Sequence, residues 1–352
     1  MSFRQLAPLL WIVVYLVAIE LALELRATRL GWPTLLIGGA MGAIGEKQAD
    51  PTWGPSDDFP FRSRRVAPER AAGRARIWFA SASYGEDLQL PPDAVFPNLA
   101  ATRLRERGIE CEALNASSAG NSVVWNARDL TEFGARYKPD VVVLYQMSND
   151  IDELSTVICG RGWVPSKERK TPAVEHGPKR VAAEANWLVR TVERTTAFKH
   201  LKSVITSRLT SARRLAPTLG EAGEALFEAR VRAFLAACRQ LDAQPVFCTF
   251  PTAYTRATIA DTPLEYELNM LRFNEFLALE GWLDSVERFN AVLRRIASAE
   301  HVPLIDLAGS VAGRAQLFRD MWHLTQPGHV EVARRIADEL ARLEALTPKA
   351  PR

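Results

Sequence analysis

With 352 residues, 47% of them hydrophobic and 24% charged, the chain has the composition of a globular protein and the length for one large or two ordinary domains. Its formal net charge of +3 is too small to indicate a nucleic-acid partner, and no interleaving of basic and aromatic residues points to one. The four cysteines are scattered without a CxxC pair, so they predict no metal site and do not identify the redox compartment.

The N-terminal segment opens with an apolar run. Residues 6–19 (LAPLLWIVVYLVAI) are uninterrupted, and Glu20 and Glu24 then break a continuing apolar pattern. A spanning helix needs roughly 20 apolar residues, a length the segment reaches if both glutamates lie near the membrane interface. No small-residue cleavage site follows. We therefore predict that residues 1–45 are an uncleaved membrane anchor with a juxtamembrane segment; a buried amphipathic helix is the alternative. Flanking arginines are nearly balanced and do not set the orientation.

Residues 46–74 are rich in Pro, Arg and Asp and are predicted to be a linker. From there to about residue 345 the pattern alternates short apolar runs with helical periodicity, which predicts a doubly wound parallel α/β sheet in one domain. The predicted strands are 76–80, 110–115, 140–145, 245–250 and 302–307. The predicted helices are 96–107, 123–137, 221–241, 285–300 and 328–343.

One segment, residues 151–220, is longer than an ordinary crossover between strands. It is basic, and its apolar residues, including Trp187, Phe198 and Leu201, recur at roughly helical spacing. The segment is predicted to be a helical insert. Two roles are open: an extra helix packed on the domain, or a lid or membrane-facing surface.

Polar residues follow the predicted strands at the edge where open parallel sheets bind ligands. Ser81 follows the first strand, the second ends in NASSAGN (115–121), and the third in QMSND (146–150). A fourth polar stretch, DMWHLTQPGH (320–329), lies near the C-terminus. Each stretch alone is weak evidence, but four on one predicted edge indicate a site.

These residue types suit acyl transfer. A serine hydroxyl becomes a good nucleophile when an imidazole takes its proton, and a carboxylate must hold that imidazole in the right tautomer. Asp320 and His323 are spaced to hydrogen-bond locally. Gly120, Asn149 and the Ser81 amide could donate to the oxyanion.

In this order, the four stretches resemble the blocks of the SGNH (GDSL-type) hydrolase family over roughly residues 76–343. FASASYG is similar to its first block in a variant where serine precedes a Tyr-Gly pair, and the Asp-x-x-His stretch is the most specific match. The resemblance implies a flavodoxin-like three-layer fold, Ser81 as nucleophile, His323 as base and Asp320 as its partner, with Ser81, Gly120 and Asn149 as oxyanion donors. It implies no cofactor or metal. The apolar N-terminus resembles membrane-anchored bacterial members, which implies an extracytoplasmic catalytic domain.

The sequence departs from the family pattern at two positions. Ala80 stands where Gly or Asp usually precedes the serine, and Met147 stands where glycine usually precedes the asparagine by two. Ala80 is small enough for the position, whereas Met147 would narrow the pocket or change the local turn.

Other assignments of the same residues are weaker. Ser83 is an alternative hydroxyl, and His329 is expected to cap or pack its helix rather than act directly. A metal site at Asp320, His323 and His329 lacks a recognisable motif. No GxSxG elbow, GxGxxG motif or phosphate loop is present, which disfavours the common α/β-hydrolase arrangement and nucleotide chemistry.

The predicted function is a serine esterase that removes small acyl groups, such as acetyl, from a small molecule or a carbohydrate. An O-acyltransferase of polysaccharide modification would use the same triad. A non-catalytic carbohydrate-binding or scaffold protein is the alternative from a different class.

Overall fold

The computed structural model describes residues 3–29, 52–55, 59–69, 71–159, 215–274 and 276–346. The chain divides into two compact units, one of which contains the N-terminal helix and the other the α/β domain. Each is described by itself.

The N-terminal unit contains the helix α1 (Phe3–Arg29). A helix over this segment was predicted, but its membrane-spanning character is not supported. In the described part of the chain, no helix combines the length and the apolarity that crossing a membrane requires. The extracytoplasmic location of the α/β domain stays a prediction.

The α/β domain is built on a five-stranded parallel sheet with the strand order β2-β1-β3-β4-β5. The strands are β1 (Ala75–Ala80), β2 (Cys111–Asn115), β3 (Val141–Leu144), β4 (Gln244–Cys248) and β5 (Leu304–Ile305). This is the flavodoxin-like order of doubly wound sheets, so the predicted fold class is confirmed. Every residue of the central strand β3 is buried, which explains its continuous run of β-branched and aliphatic residues.

Helices cover both faces of the sheet, and most of them lie close to the predicted ranges. The remaining helices are α2 (Ser83–Glu86), α3 (Phe96–Glu106), α4 (Val123–Tyr137), α5 (Ser148–Cys159), α6 (Gly220–Gln240), α7 (Leu264–Phe273), α8 (Leu279–Ala299), α9 (Ala308–Val311) and α10 (Gln326–Leu340). On one side α3 packs against α10, and on the other α6 packs against α4, α5 and α8. Helices α2 and α7 were not predicted, and α8 begins at Leu279 rather than at residue 285.

Part of the segment predicted to be a linker belongs to the domain. Phe59 and Phe61 are buried, and the Phe61 ring makes edge contacts with Trp78 at 4.9 Å and with Tyr137 at 4.8 Å. The buried guanidinium of Arg76 bonds the Glu112 carboxylate at 2.7 Å and also donates to backbone carbonyls of residues 67–69. Aromatic burial and these hydrogen bonds fix residues 59–69 to the sheet.

Only the two ends of the predicted insert, residues 151–159 and 215–220, are described. Helix α5 begins at Ser148, and residues 160–214 lie outside the described residues, together with the apolar residues for which a lid or a membrane-facing surface was predicted. At residue 216 the chain is again paired, through a bridge between Ala216 and Leu277.

Candidate active site

A serine, a histidine and an aspartate form a hydrogen-bonded row at the carboxyl edge of the sheet. The Ser83 Oγ lies 2.8 Å from Nε2 of His323, and Nδ1 of the same ring lies 2.7 Å from Oδ2 of Asp320. An ionised carboxylate only accepts hydrogen bonds, so Nδ1 carries the ring proton and Nε2 is left to accept from the serine. These three side chains have the connections of a nucleophile, its base and the group that orients the base.

The serine in this row is Ser83, not Ser81. Ser81 is fully buried, and its Oγ has no hydrogen-bond partner among the described residues. It directly follows β1, two residues before α2 begins. Ser83 is the first residue of α2, and its hydroxyl is the one that reaches His323. The prediction of Ser81 as the group facing the imidazole is therefore corrected by two positions, to the hydroxyl considered as its alternative.

Close packing under α2 explains the glycine two residues after Ser83. A Cβ on Gly85 would lie 2.3 Å from the Ser117 Oγ and 2.9 Å from the Ser81 Cβ, closer than real Cβ contacts allow. Without a side chain, the backbone of α2 can rest on both serines. Ser81 and Ser117 thus form the floor beneath the helix that carries Ser83.

The loop before α10 holds the imidazole in place. Asp320 Oδ1 accepts hydrogen bonds from the backbone amides of Trp322 at 3.0 Å and His323 at 2.8 Å, and Oδ2 accepts a further one from Asn269 at 3.1 Å. Burial alone would raise the pKa of Asp320, but His323 and the two amides outweigh it, and the net pKa is lowered. The carboxylate is therefore ionised and fixed in orientation.

The loop after β2 and the start of α5 meet beside α2. The Asn121 carbonyl accepts hydrogen bonds from Asn149 Nδ2 at 2.6 Å and from Gln146 Nε2 at 2.7 Å. The Ala119 amide donates to Glu86 Oε2 at 2.7 Å, which ties this loop to α2. Gly120 lies in the turn between these contacts with φ of +79°, a conformation that favours glycine. The structure therefore brings Gly120 and Asn149 to the same edge as Ser83.

Buried polar groups fix this edge from below. The Tyr84 hydroxyl bonds Gln146 and accepts from the Met147 amide at 3.2 Å, which ties α2 to the end of β3. Met147 is fully buried. Asp150 accepts from the Val123 amide at the start of α4 and from Arg230 at 2.8 Å. Burial raises the pKa of Asp150 to about 6 despite the opposing arginine.

A second set of polar residues joins the serine and histidine segments. Asp87 follows α2 directly, and its Oδ2 accepts from His329 Nε2 at 2.8 Å and from Arg319 at 2.8 Å. His329 Nδ1 accepts from the Phe96 amide at 3.1 Å, so the buried imidazole is neutral. The Arg319 amide donates to the His323 carbonyl at 2.7 Å. We call Asp87, His329 and Arg319 the clamp. Asp87 is far in sequence from the other two, and only the packing role of His329 was anticipated.

We expect the clamp to make stability fall with acidity. Burial lowers the pKa of His329 below its ordinary value of 6.5. In the unfolded chain this residue therefore takes up a proton as the pH falls through about 6.5, whereas in the folded chain it stays neutral to lower pH. Protonation then favours the unfolded state. Burial alone would raise the pKa of Asp87, but its contacts with His329 and Arg319 outweigh burial and lower this pKa from 3.8. The loss of stability therefore continues at more acidic pH, where the unfolded chain also protonates this aspartate. Stability is thus full above pH 6.5 and is lost progressively below it.

Urea unfolding of the full chain at several pH values between 7 and 5 measures this effect. The His329→Gln variant should be less stable at pH 7 and should show a shallower decline than the wild type. An equally steep decline in the variant would assign the pH dependence to other groups.

Comparisons with known proteins give a distant likeness. No family model matches the chain, and no curated protein matches it. Among solved structures, it is similar to a lipase/acylhydrolase from Enterococcus faecalis, at 15% identity over 79% of this chain and 100% of the other, with a TM-score of 0.44. A member of the lipolytic G-D-S-L family from Veillonella parvula is 10% identical over 77% and 100%, with a TM-score of 0.44. An acetyl xylan esterase, AlAXEase, is 14% identical over 75% and 98%, with a TM-score of 0.40. Likeness at this level does not identify an activity.

Proposed function

We propose that the chain is a serine esterase that hydrolyses short acyl esters through Ser83, His323 and Asp320. The observation that carries the proposal is the continuous row from the Ser83 Oγ to His323 Nε2 at 2.8 Å and from His323 Nδ1 to Asp320 at 2.7 Å. A serine, a base and an orienting carboxylate in direct contact form the minimum set for nucleophilic acyl transfer. This arrangement argues against the non-catalytic alternative.

The reaction follows from the direction of these hydrogen bonds. His323 Nε2 takes the Ser83 proton while Oγ bonds to the ester carbonyl carbon, whose oxygen becomes negative. Collapse of this intermediate breaks the bond to the alcohol, which leaves with the proton from Nε2, and the acyl group remains on Ser83. Water then attacks the acyl-enzyme with the same base, releasing the acid and restoring the serine. Asp320 stabilises the imidazolium in both halves.

Donors for the negative oxygen come from three segments. We assign the Gly120 amide, the second N–H of the Asn149 side chain and the Ser83 amide to this role. One Asn149 N–H bonds the Asn121 carbonyl at 2.6 Å, and a carboxamide has a further N–H to donate. Ser83 replaces Ser81 as the residue whose amide takes part, because the backbone N–H of the nucleophilic serine is one of the oxyanion donors in the Ser-His-Asp arrangement.

A cluster of aromatic rings extends from the imidazole to the exposed ring of Phe273. The Trp322 ring lies 5.6 Å from that of His323 and stacks on Trp282 at 5.2 Å. The Phe273 ring makes an edge contact with Trp322 at 6.2 Å, and this residue is 51% exposed. Trp322 and Trp282 are themselves buried, so the ring surface that this cluster offers a substrate is that of Phe273, which suits a short acyl group or the apolar face of a sugar. Because an alcohol acceptor needs the same groups as water, product analysis with and without an acceptor sugar separates hydrolysis from transfer.

Covalent labelling tests the proposal. A fluorophosphonate probe should modify Ser83 in the folded chain, and peptide mass spectrometry should find the label there, since only a serine activated by a neighbouring base reacts readily. Heat-denatured protein is the control and should remain unlabelled. Absence of label from the folded chain, or label on a different serine, would contradict the assignment.

A further inference from the structure

A cavity of about 540 Å³ lies away from Ser83, along the outer strand of the sheet. Its walls come from residues 111–113 of β2, residues of α3, residues 64–67, and the single residues Trp53 and Arg74. Strand β2 is at the edge of the sheet, and residues 111–113 begin it, whereas Ser83 follows the carboxyl end of β1. The volume lies in the range of pockets that hold small molecules.

Guanidinium groups dominate the lining of this cavity. The arginines lining it are Arg64, Arg65, Arg74 and Arg105. Within the described residues, Glu112 is the single acidic residue in the lining, and the buried Arg76 neutralises it at 2.7 Å. We call this cavity the arginine cleft.

Two of these arginines are held in place by neutral acceptors. Arg105 donates to the Cys111 carbonyl at 3.1 Å and to the Thr102 hydroxyl at 2.9 Å. Arg65 donates to the Gly54 carbonyl at 3.1 Å. Such contacts orient a guanidinium without cancelling its charge, and each group has five N–H donors, so several remain for a ligand.

The other two arginines add charge with little compensation. Arg74 lies 3.6 Å from Glu110, but both side chains are about half exposed, and ion pairs of that kind contribute little. Arg64 has no acidic partner among the ion pairs of the described residues. The arginine cleft therefore has a positive charge that its own carboxylates do not balance.

We propose that the arginine cleft binds a small anion with two or more negative charges, carried by phosphates or carboxylates on a sugar-sized molecule. The paired N–H groups of a guanidinium match the paired oxygens of a phosphate or a carboxylate. Because several arginines line the cleft, a ligand with two or more such groups can bind more than one of them. Trp53 in the lining offers ring surface for the uncharged part of such a ligand. This inference does not depend on the esterase activity.

Calorimetric titration of the full chain tests it with two probes, tripolyphosphate and trigalacturonate, at physiological salt. At least one should bind. The double variant Arg64→Ala/Arg105→Ala should weaken that binding by about tenfold or more, since it removes charge-assisted hydrogen bonds. The control Arg239→Ala/Arg342→Ala removes the same charge from exposed arginines outside the cleft, one on α6 and one just after α10, and should change binding by less than about twofold.

The two probes distinguish two kinds of ligand. Binding of tripolyphosphate alone identifies a phosphorylated ligand, and binding of trigalacturonate alone a carboxylated sugar. The proposal is overturned if neither probe binds, if the cleft variant binds as the wild type does, or if the control loses binding equally. Turnover of an uncharged ester should be the same in both double variants, so failure here is distinct from failure of the esterase proposal.

Discussion

Replacing Ser83 by alanine should reduce kcat for a short-chain aryl ester by about 10⁴-fold or more, the scale of nucleophile removal in serine hydrolases. Ser83 supplies the only hydroxyl hydrogen-bonded to His323 Nε2 among the described residues. Without it, the base has no nucleophile to activate, and the donors at the oxyanion position give only the residual rate. The ester should still bind, so KM should change far less than kcat.

Ser81→Ala is the matched control, because it makes the same chemical change two residues away. The Ser81 Oγ is buried without a partner among the described residues, and removing such a hydroxyl has a small effect on stability. We expect its kcat to stay within about threefold of the wild type, since Ala fits the floor beneath α2. Circular dichroism should show both variants folded. The opposite ranking, with Ser81→Ala inactive and Ser83→Ala active, would restore the nucleophile predicted from the sequence.

This pair also shows what the sequence could predict about the site. Period and polarity located the strand ends, and so the edge at which Gly120, Asn149, Asp320 and His323 were expected. They could not tell how many residues the chain uses to turn from β1 into α2, because a turn of two or four residues has the same composition. The signal was Gly85: it follows Ser83 by two positions and must lack a side chain to pack on Ser81 and Ser117.

The fold was more predictable than the contacts that hold it together. Buried parallel strands are continuous apolar runs, and β3 stands out for that reason. By contrast, Phe59 and Phe61 lie in a Pro- and Arg-rich stretch whose composition indicates a linker, and only their packing on Trp78 and Tyr137 shows otherwise. The clamp joins residues 232 and 242 positions apart. No local pattern reports contacts at that separation.

Replacing Asp320 by asparagine should lower kcat by about 10⁴-fold while leaving Ser83 in place, because the substitution inverts the tautomer of the base. The oxygen of the new carboxamide will keep the hydrogen bonds from two backbone amides that Asp320 Oδ1 now accepts at 3.0 and 2.8 Å. Its NH₂ group then faces His323 Nδ1, where the carboxylate accepted at 2.7 Å. A donor at that point requires Nδ1 to be unprotonated, so the ring proton moves to Nε2. Nε2–H then points at Ser83, and the imidazole can no longer take the serine proton.

The contact from Asn269 provides the control for this tautomer argument. Asn269 also donates to Asp320 Oδ2, at 3.1 Å, so Asn269→Ala removes a neighbour of the carboxylate but leaves its acceptor oxygen to His323. We expect Asn269→Ala to lower kcat by less than about tenfold, the scale of one hydrogen bond. In Asp320→Asn, kcat from steady-state kinetics and the rate of fluorophosphonate labelling should fall together, since both reactions need the serine to be deprotonated. If Asp320→Asn kept the wild-type labelling rate, His323 would have to be oriented by another group, and the row from Asp320 to Ser83 would not be the catalytic one.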